Sequence, residues 1–223
     1  MNALISMKGI TRYFLEGEAR FAVLKDISVN IEEGEYSAII GQSGSGKSTL
    51  LNILGCLDNH FEGNYALKGE EVSTMDDAQV SGLRNRLIGF VFQSFNLIPQ
   101  LTLSENVEVP LYYLGIDRKE RQARSLEFLE KMKIDHRKNF FPTQISGGEK
   151  QRCAIARALA SHPSLILADE PTGNLDSKTG KEIMNIFDDL SSQGKTIIMV
   201  THDNEIANRL PRVIRIKDGV IES

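Results

Sequence analysis

Along this chain the spacing of apolar and polar residues changes several times, and each change marks an element. Residues 22–31, "AVLKDISVNI", alternate from Val23 onward, which predicts a half-buried strand, and "EEGE" (32–35) predicts a turn. "YSAII" (36–40) is apolar without alternation, as in a strand covered on both faces, and runs into "GQSGSGKST" and the helical "LLNILGCLD". Residues 63–72, "GNYALKGEEV", predict a hairpin or edge strand, and 87–93, "LIGFVFQ", another strand. From about 94 to 160 the spacing is helical in "SENVEVPLYYLG", "DRKERQARSLEFLEKMKI" and "EKQRCAIARALASH", with breaks expected at Pro110, Gly115 and Pro142. Strands and helices then alternate again. "SLILADE" and "KTIIMVTHD" read as strands, "SKTGKEIMNIFDDLSSQG" and "NEIANRL" as helices, and "VIRIKDGVIES" as a hairpin around Asp218-Gly219. Apolar strands separated by helices predict an α/β fold with a parallel sheet covered on both faces. The expected organisation is an α/β core of residues 1–93 and 161–223 with a helical subdomain, 94–160, inserted into it.

Composition narrows this picture only modestly. At 223 residues the chain can bury one large core, and 41% hydrophobic with 25% charged residues is ordinary globular usage. The formal net charge of −4 gives no general attraction to nucleic acid or anionic lipid. Cys56 and Cys153 sit in apolar helical text without metal spacing, which reads as two buried small hydrophobes in a reducing compartment. No signal peptide is visible at the start, and no apolar run approaches the roughly 20 residues a membrane helix needs. A membrane role is therefore expected through a partner.

The chemistry begins at Gly41, Gln42, Ser43, Gly44, Ser45, Gly46, Lys47 and Ser48, which match G-x4-G-K-[ST] and are followed by Thr49. Glycines let successive backbone N–H groups face one anion, and the helix that follows adds the positive end of its dipole. Lys47 offers a mobile charge to β- and γ-phosphates, and Ser48 an oxygen to Mg2+. "LILADE" puts Asp169 and Glu170 at the carboxyl end of a buried strand, where one carboxylate can hold Mg2+ and the other polarise an attacking water. His202 closes a later strand at the same kind of edge, and Gln93 ends "IGFVFQ" at the join to the helical region. Ser146, Gly147 and Gly148 open a second helix, either as a plain cap or as a second anion site. One P-loop already wraps one nucleotide, so a second anion site is surplus within one chain.

In this order, Gly41–Ser48, Gln93, Ser146-Gly147-Gly148, Leu165–Glu170, Asp176 and His202 make the chain resemble the ATP-binding-cassette (ABC) ATPases over essentially its whole length. The resemblance implies a P-loop NTPase, RecA-like parallel sheet core with an antiparallel β subdomain and the helical segment as a signature subdomain. It implies ATP and Mg2+ as ligands: Lys47 and Ser48 on the phosphates, and Ser48, Gln93 and Asp169 at the metal. Glu170 would be the catalytic base, His202 the γ-phosphate switch and Gln93 the link to a transmembrane partner. Ser146, Gly147 and Gly148, with Glu149 beside them, would meet the γ-phosphate held by a second copy, so that two chains close over two ATP molecules. Asp176 would belong to the loop joining the two sites. Adenine would stack on Phe14, with Tyr13 the alternative one residue away.

Within that family "GQSGSGKSTLLNILGCLD", "FVFQSFNLIPQLTLSENVEVPL" and "ADEPTGNLDSKTG" look most similar to the MacB and LolD branch. Its members power efflux of antibiotics or peptides, or lipoprotein release. The implied partners are a second copy, a permease of the MacB, LolC or LolE kind and, indirectly, a periplasmic adaptor; no nucleic acid is implied. The implied place is the cytoplasmic side of the inner membrane, whether the chain is a separate subunit or one domain of a longer protein. Phe95, Leu97, Ile98 and Leu101 give residues 94–115 many apolar side chains for a loop region, which reads as a grip for the membrane subunit or as core of the helical subdomain. A soluble repair or translation ATPase would carry a long coiled coil or tandem cassettes, and a simple kinase or GTPase needs no "SGGE". Two departures stand out. Glu149 replaces the family's commoner glutamine, adding a charge for which Lys150 and Arg152 are the offsets at hand, and "GNLD" replaces a commoner serine-alanine start.

Overall fold

The computed structural model of the chain describes residues 3–17 and 19–222. In chain order the elements are β1 (Ala3–Glu16), β2 (Ala19–Glu32), β3 (Tyr36–Ile40), α1 (Lys47–Leu54), β4 (Glu62–Leu67), β5 (Glu70–Glu71), α2 (Asp77–Leu87) and β6 (Ile88–Phe92). They continue with α3 (Leu103–Tyr113), α4 (Arg118–Lys131), α5 (Gly147–Ala160), β7 (Leu165–Asp169), α6 (Ser177–Ser192), β8 (Thr196–Val200), α7 (Asn204–Arg209), β9 (Arg212–Lys217) and β10 (Val220–Glu222). Contacts divide the chain into two units, Met1–Gly82 with Gly194–Ser223, and Leu83–Gln193.

The first unit holds an antiparallel sheet in the order β2-β1-β4-β5. It also holds the strands β10-β9-β3-β8, in which β3 pairs in parallel with both β8 and β9. β3 and β8 are buried along all five residues, which is why their sequences show no alternation. β2 alternates as expected from Ile27 onward, with Ile27, Val29 and Ile31 inside and their polar neighbours out, but not from Val23: Lys25 and Asp26 both face out after the buried Leu24, where the pairing with β1 shifts register. The closing hairpin β9-β10 turns at Asp218-Gly219 as expected.

The second unit pairs β6 and β7 in parallel and packs α3, α4 and α5 together. Each of these helices starts on a side-chain cap: Thr102 with Glu105 for α3, Asp117 for α4 and Ser146 with Glu149 for α5. Pro110 does not break α3, contrary to expectation. It removes one backbone N–H bond, but the helix is held by its buried stripe of Leu103, Val107 and Leu111, and the Pro110 carbonyl accepts from Leu114 N and Asn85 Nδ2, both at 3.2 Å. Asn106 of α3 is fully buried because its amide ties the preceding loop, accepting from Ile98 N and donating to the carbonyls of Ile98, Leu101 and Thr102. That loop is irregular, with Phe95, Leu97 and Leu101 half-buried and Ile98 39% exposed. Helix α2 has no counterpart in the sequence reading, since it is polar nearly throughout and buries only Val80, Leu83 and Leu87. Both cysteines are buried, and neither is in a disulfide.

Candidate nucleotide-binding site

In the first unit, β3 delivers the glycine loop directly onto the start of α1. Gly46, the N-cap of that helix, holds φ at +103°, and a Cβ there would stand 2.7 Å from Leu24 Cδ2. At Gly41 a Cβ would meet the Ile216 carbonyl oxygen at 2.2 Å, so β9 leaves room for backbone alone. Lys47 curls back over the loop and donates from Nζ to the carbonyls of Gly41 and Gln42, at 2.8 and 2.7 Å. Those partners are dipoles rather than carboxylates, and the first turn of α1 has no acidic residue. The ammonium charge and the helix dipole thus both stay uncancelled by any acid of the loop, a donor set that fits a polyphosphate. Ser45 Oγ is buried without a hydrogen-bond partner among the described residues.

His202 follows β8 and is exposed, directly before the Asp203 that caps α7 through the N–H groups of Glu205 and Ile206. With Gly41, Gln42, Ser43, Arg215 and Lys217 it lines a cleft of about 490 Å3, which puts the histidine beside the P-loop. On β1, Phe14 and Tyr13 differ in access. The Arg20 guanidinium covers the Tyr13 ring at 3.6 Å, whereas Phe14 is 39% exposed with Arg12 at 4.4 Å and Phe21 at 6.4 Å from its ring.

In the second unit, parallel pairing puts Phe92 opposite Asp169, so Gln93 and Glu170 leave the same edge of the β6-β7 pair. Asp169 is half-buried at the end of a strand whose other four residues are buried. Glu170 turns the chain with φ at +44°, a left-handed conformation costly for a side chain with Cβ, and its carbonyl accepts from Gly173 N at 3.0 Å. Gln151, buried in α5, holds the next residue by donating from Nε2 to the Pro171 carbonyl at 2.6 Å. Gln93 packs against the loop after Pro171: Asn174 Nδ2 donates to the Gln93 carbonyl at 3.0 Å, and a Cβ on Gly173 would stand 2.6 Å from Gln93 Nε2. Arg157 of α5 donates to the carbonyls of Phe95 and Asn96, two consecutive left-handed residues, at 2.8 and 2.5 Å. Gln151, Arg157 and Asn174 therefore fasten the segments carrying Gln93 and Glu170. Sequence reasoning missed all three, because a glutamine or arginine in helical text, or an asparagine in a loop, gives no sign of what it reaches.

The Ser146-Gly147-Gly148 segment is a helix cap. Ser146 Oγ accepts from Glu149 N at 3.3 Å, while Glu149 Oε2 accepts from Ser146 N and from the Ser146 hydroxyl at 2.9 and 2.8 Å. The glycines also have a packing reason, for a Cβ on Gly148 would lie 2.6 Å from Thr179 Cγ2 of α6. Asp176 caps α6, accepting from the N–H groups of Lys178 and Thr179 and from Thr179 Oγ1 at 2.6 Å. Neither Lys150 nor Arg152 offsets Glu149: the partner is Arg137, Nε to Oε1 at 3.2 Å, whereas Arg152 reaches Glu182 at 2.9 Å. Hydrogen bonds from Ser146, then Arg137, hold the Glu149 carboxyl below its usual range. Ser48, Gln93 and Asp169 all offer oxygen, the donor type Mg2+ takes.

The ABC transporter family model matches residues 24–173. An ABC transporter ATP-binding protein of Thermotoga maritima, described as uncharacterized, is 50% identical over 222 residues, covering 100% of this chain and 95% of that protein. The macrolide export ATP-binding/permease protein MacB of Mannheimia succiniciproducens is 51% identical over 218 residues; here the chain spans only 34% of its relative. The ATP-binding cassette MJ0796, solved as a dimer in a post-hydrolysis state with ADP and Pi, superposes with a TM-score of 0.90 at 46% identity, covering 98% of this chain and 97% of that one. Strand, glycine loop and helix thus stand in a fold and a sequence shared along nearly the whole chain, and the chain belongs to the ABC transporter family as an ATP-binding domain.

Proposed function

We propose that two copies of this ATPase close over two ATP molecules and that the cycle of closing and reopening drives a transmembrane permease of the MacB type. The supporting observation is the likeness, along 98% of the chain, to a cassette solved as a dimer with ADP and Pi. Lys47 and the P-loop N–H groups bind the β- and γ-phosphates, and the exposed ring of Phe14 takes the adenine. Ser48, Asp169 and Gln93 hold Mg2+, which when bound neutralises phosphate charge. Glu170 accepts the proton of the attacking water, and His202 contacts the γ-phosphate. Ser146 and the two glycines receive the γ-phosphate of the second copy, with Asp176 on the loop that joins the sites. The permease is proposed because relatives named as ATP-binding/permease proteins match about 98% of this chain at about 50% identity. Among the described residues no helix is long and apolar enough to cross a membrane, so the permease supplies the span and holds the ATPase at the cytoplasmic face. Residues 94–115, with Ile98 exposed, are where it would grip.

Glu170→Gln tests the two-chain mechanism. It removes the base but keeps the phosphate contacts, so turnover should fall by about two to four orders of magnitude while ATP traps a dimer on size-exclusion chromatography. A Glu170→Gln protein that stays monomeric with saturating ATP, beside a wild type whose rate per chain is independent of protein concentration, would sink the reading.

A further inference from the structure

Glu149 places a negative charge in the first turn of α5, the helix end to which the proposed function brings a triphosphate. Its two oxygens have separate partners. Oε2 holds the N–H and the hydroxyl of Ser146, and Oε1 takes Nε of Arg137. Arg137 ends the short 3-10 turn Asp135–Arg137, and its guanidinium lies 4.8 Å from the Phe140 ring centroid, which limits where the fork can point. The pair is too exposed, 39% and 24%, to add much stability as a surface ion pair.

Its position gives it a different use. A hydroxyl has one proton, and while Ser146 donates it to Glu149 it cannot donate it to a phosphate oxygen. An unpaired carboxylate would both hold that proton and repel the incoming polyanion. With Arg137 on Oε1 and the Ser146 N–H on Oε2, Glu149 keeps two donors after the hydroxyl turns away. We propose that Arg137 is a positioning residue for ATP hydrolysis: it neutralises Glu149 so that the Ser146 hydroxyl is released to the γ-phosphate of a second copy. Glutamate at position 149 is then tolerated because Arg137 stands against it. This inference rests on the two-chain reading above.

The test is a double-mutant cycle in the Glu170→Gln background, following ATP-induced dimerisation by sedimentation over a protein titration. Arg137→Gln should weaken the dimer about three- to tenfold. With Glu149→Gln also present, which removes the charge and keeps an acceptor for Ser146, Arg137→Gln should have no further effect. In the active protein, Arg137→Gln should raise the protein concentration for half-maximal turnover while kcat at saturation stays near wild type, and Arg137→Lys should recover most of the loss. ATP binding to the monomer and the urea midpoint should stay at parental values. Equal losses with glutamate and glutamine at 149 would show a merely structural arginine and overturn the inference, as would no loss in either. If the Glu170→Gln parent itself fails to pair, the two-chain reading falls and this inference with it; if the parent pairs and Arg137→Gln pairs as tightly, only this inference falls.

Discussion

At Gly148 the sequence shows a glycine after a serine and the structure shows a neighbour. Thr179 cannot easily swing its Cγ2 aside, because its hydroxyl is held by Asp176 at 2.6 Å. Gly148→Ala should therefore cost about 1–3 kcal/mol of stability, read from the urea midpoint, and reduce turnover further by displacing the start of α5. Thr179→Ser keeps the bond to Asp176 and deletes the offending methyl, so the double variant should recover most of both losses. If Gly148→Ala is equally damaging with serine at 179, the methyl contact is not its cause. The same lesson holds at Glu149, whose partner is twelve residues upstream rather than the adjacent Lys150 or nearby Arg152. Neighbours in sequence are the natural guess for an offsetting charge, but Lys150, one residue along the helix, projects from a different face, and Arg152, which does share a face with Glu149, is engaged by Glu182 on α6.

Among the elements, helix starts carry an acid dependence. The carboxyls of Glu105 on α3, Glu149 on α5 and Asp176 before α6 are all held below their usual values by hydrogen bonds from capping partners: Thr102, Ser146 and Thr179 respectively come first. A carboxyl depressed on folding contributes stability fully above its unfolded value and loses it as pH falls through the folded one. The usual values are 4.5 for the glutamates and 3.8 for the aspartate. The urea midpoint should thus be flat from about pH 7 to about pH 5 and fall below that, as each cap protonates. In Glu105→Gln with Asp176→Asn the fall should be shallower. Parallel curves for the variant and the wild type would show that these caps do not set the acid limit. Element types were largely legible from spacing, because β2 alternates and β3 and β8 do not. Helix α2 was not, since three buried side chains in eleven residues leave too faint a stripe. Pro110 misled because proline costs a helix interior one N–H bond, while the packing of Leu103, Val107 and Leu111, which spacing alone does not weigh against that loss, holds α3 through it.

For the whole molecule, the proposed pairing predicts complementation. Lys47→Ala spoils a P-loop and Ser146→Ala spoils the opposing helix end, so each variant alone should be nearly inactive. In a two-fold pair each chain lends its P-loop to one site and its Ser146 to the other. A mixed pair then keeps one site with both parts intact. Equimolar mixing should restore about a quarter of the wild-type rate, half the pairs being mixed with one working site each. Two inactive variants that stay inactive when mixed, though shown to pair, would place Ser146 and the P-loop on one nucleotide within one chain.

By itself the sequence determined the chemistry of the loops and the class of the fold. A glycine loop with Lys47 and Ser48, an Asp169-Glu170 pair after a buried strand and a serine-glycine-glycine helix start are local patterns, and their physics is local: backbone freedom, helix dipoles and strand burial. What only the tertiary structure decided is which side chain restrains which. Arg137 on Glu149, Thr179 against Gly148, Gln151 under Pro171, Asn174 on Gln93 and Asn106 within its loop are pairs set by how helices and loops pack. Spacing along the chain cannot specify them, because a contact between residues 8 to 81 positions apart depends on distances that folding alone creates.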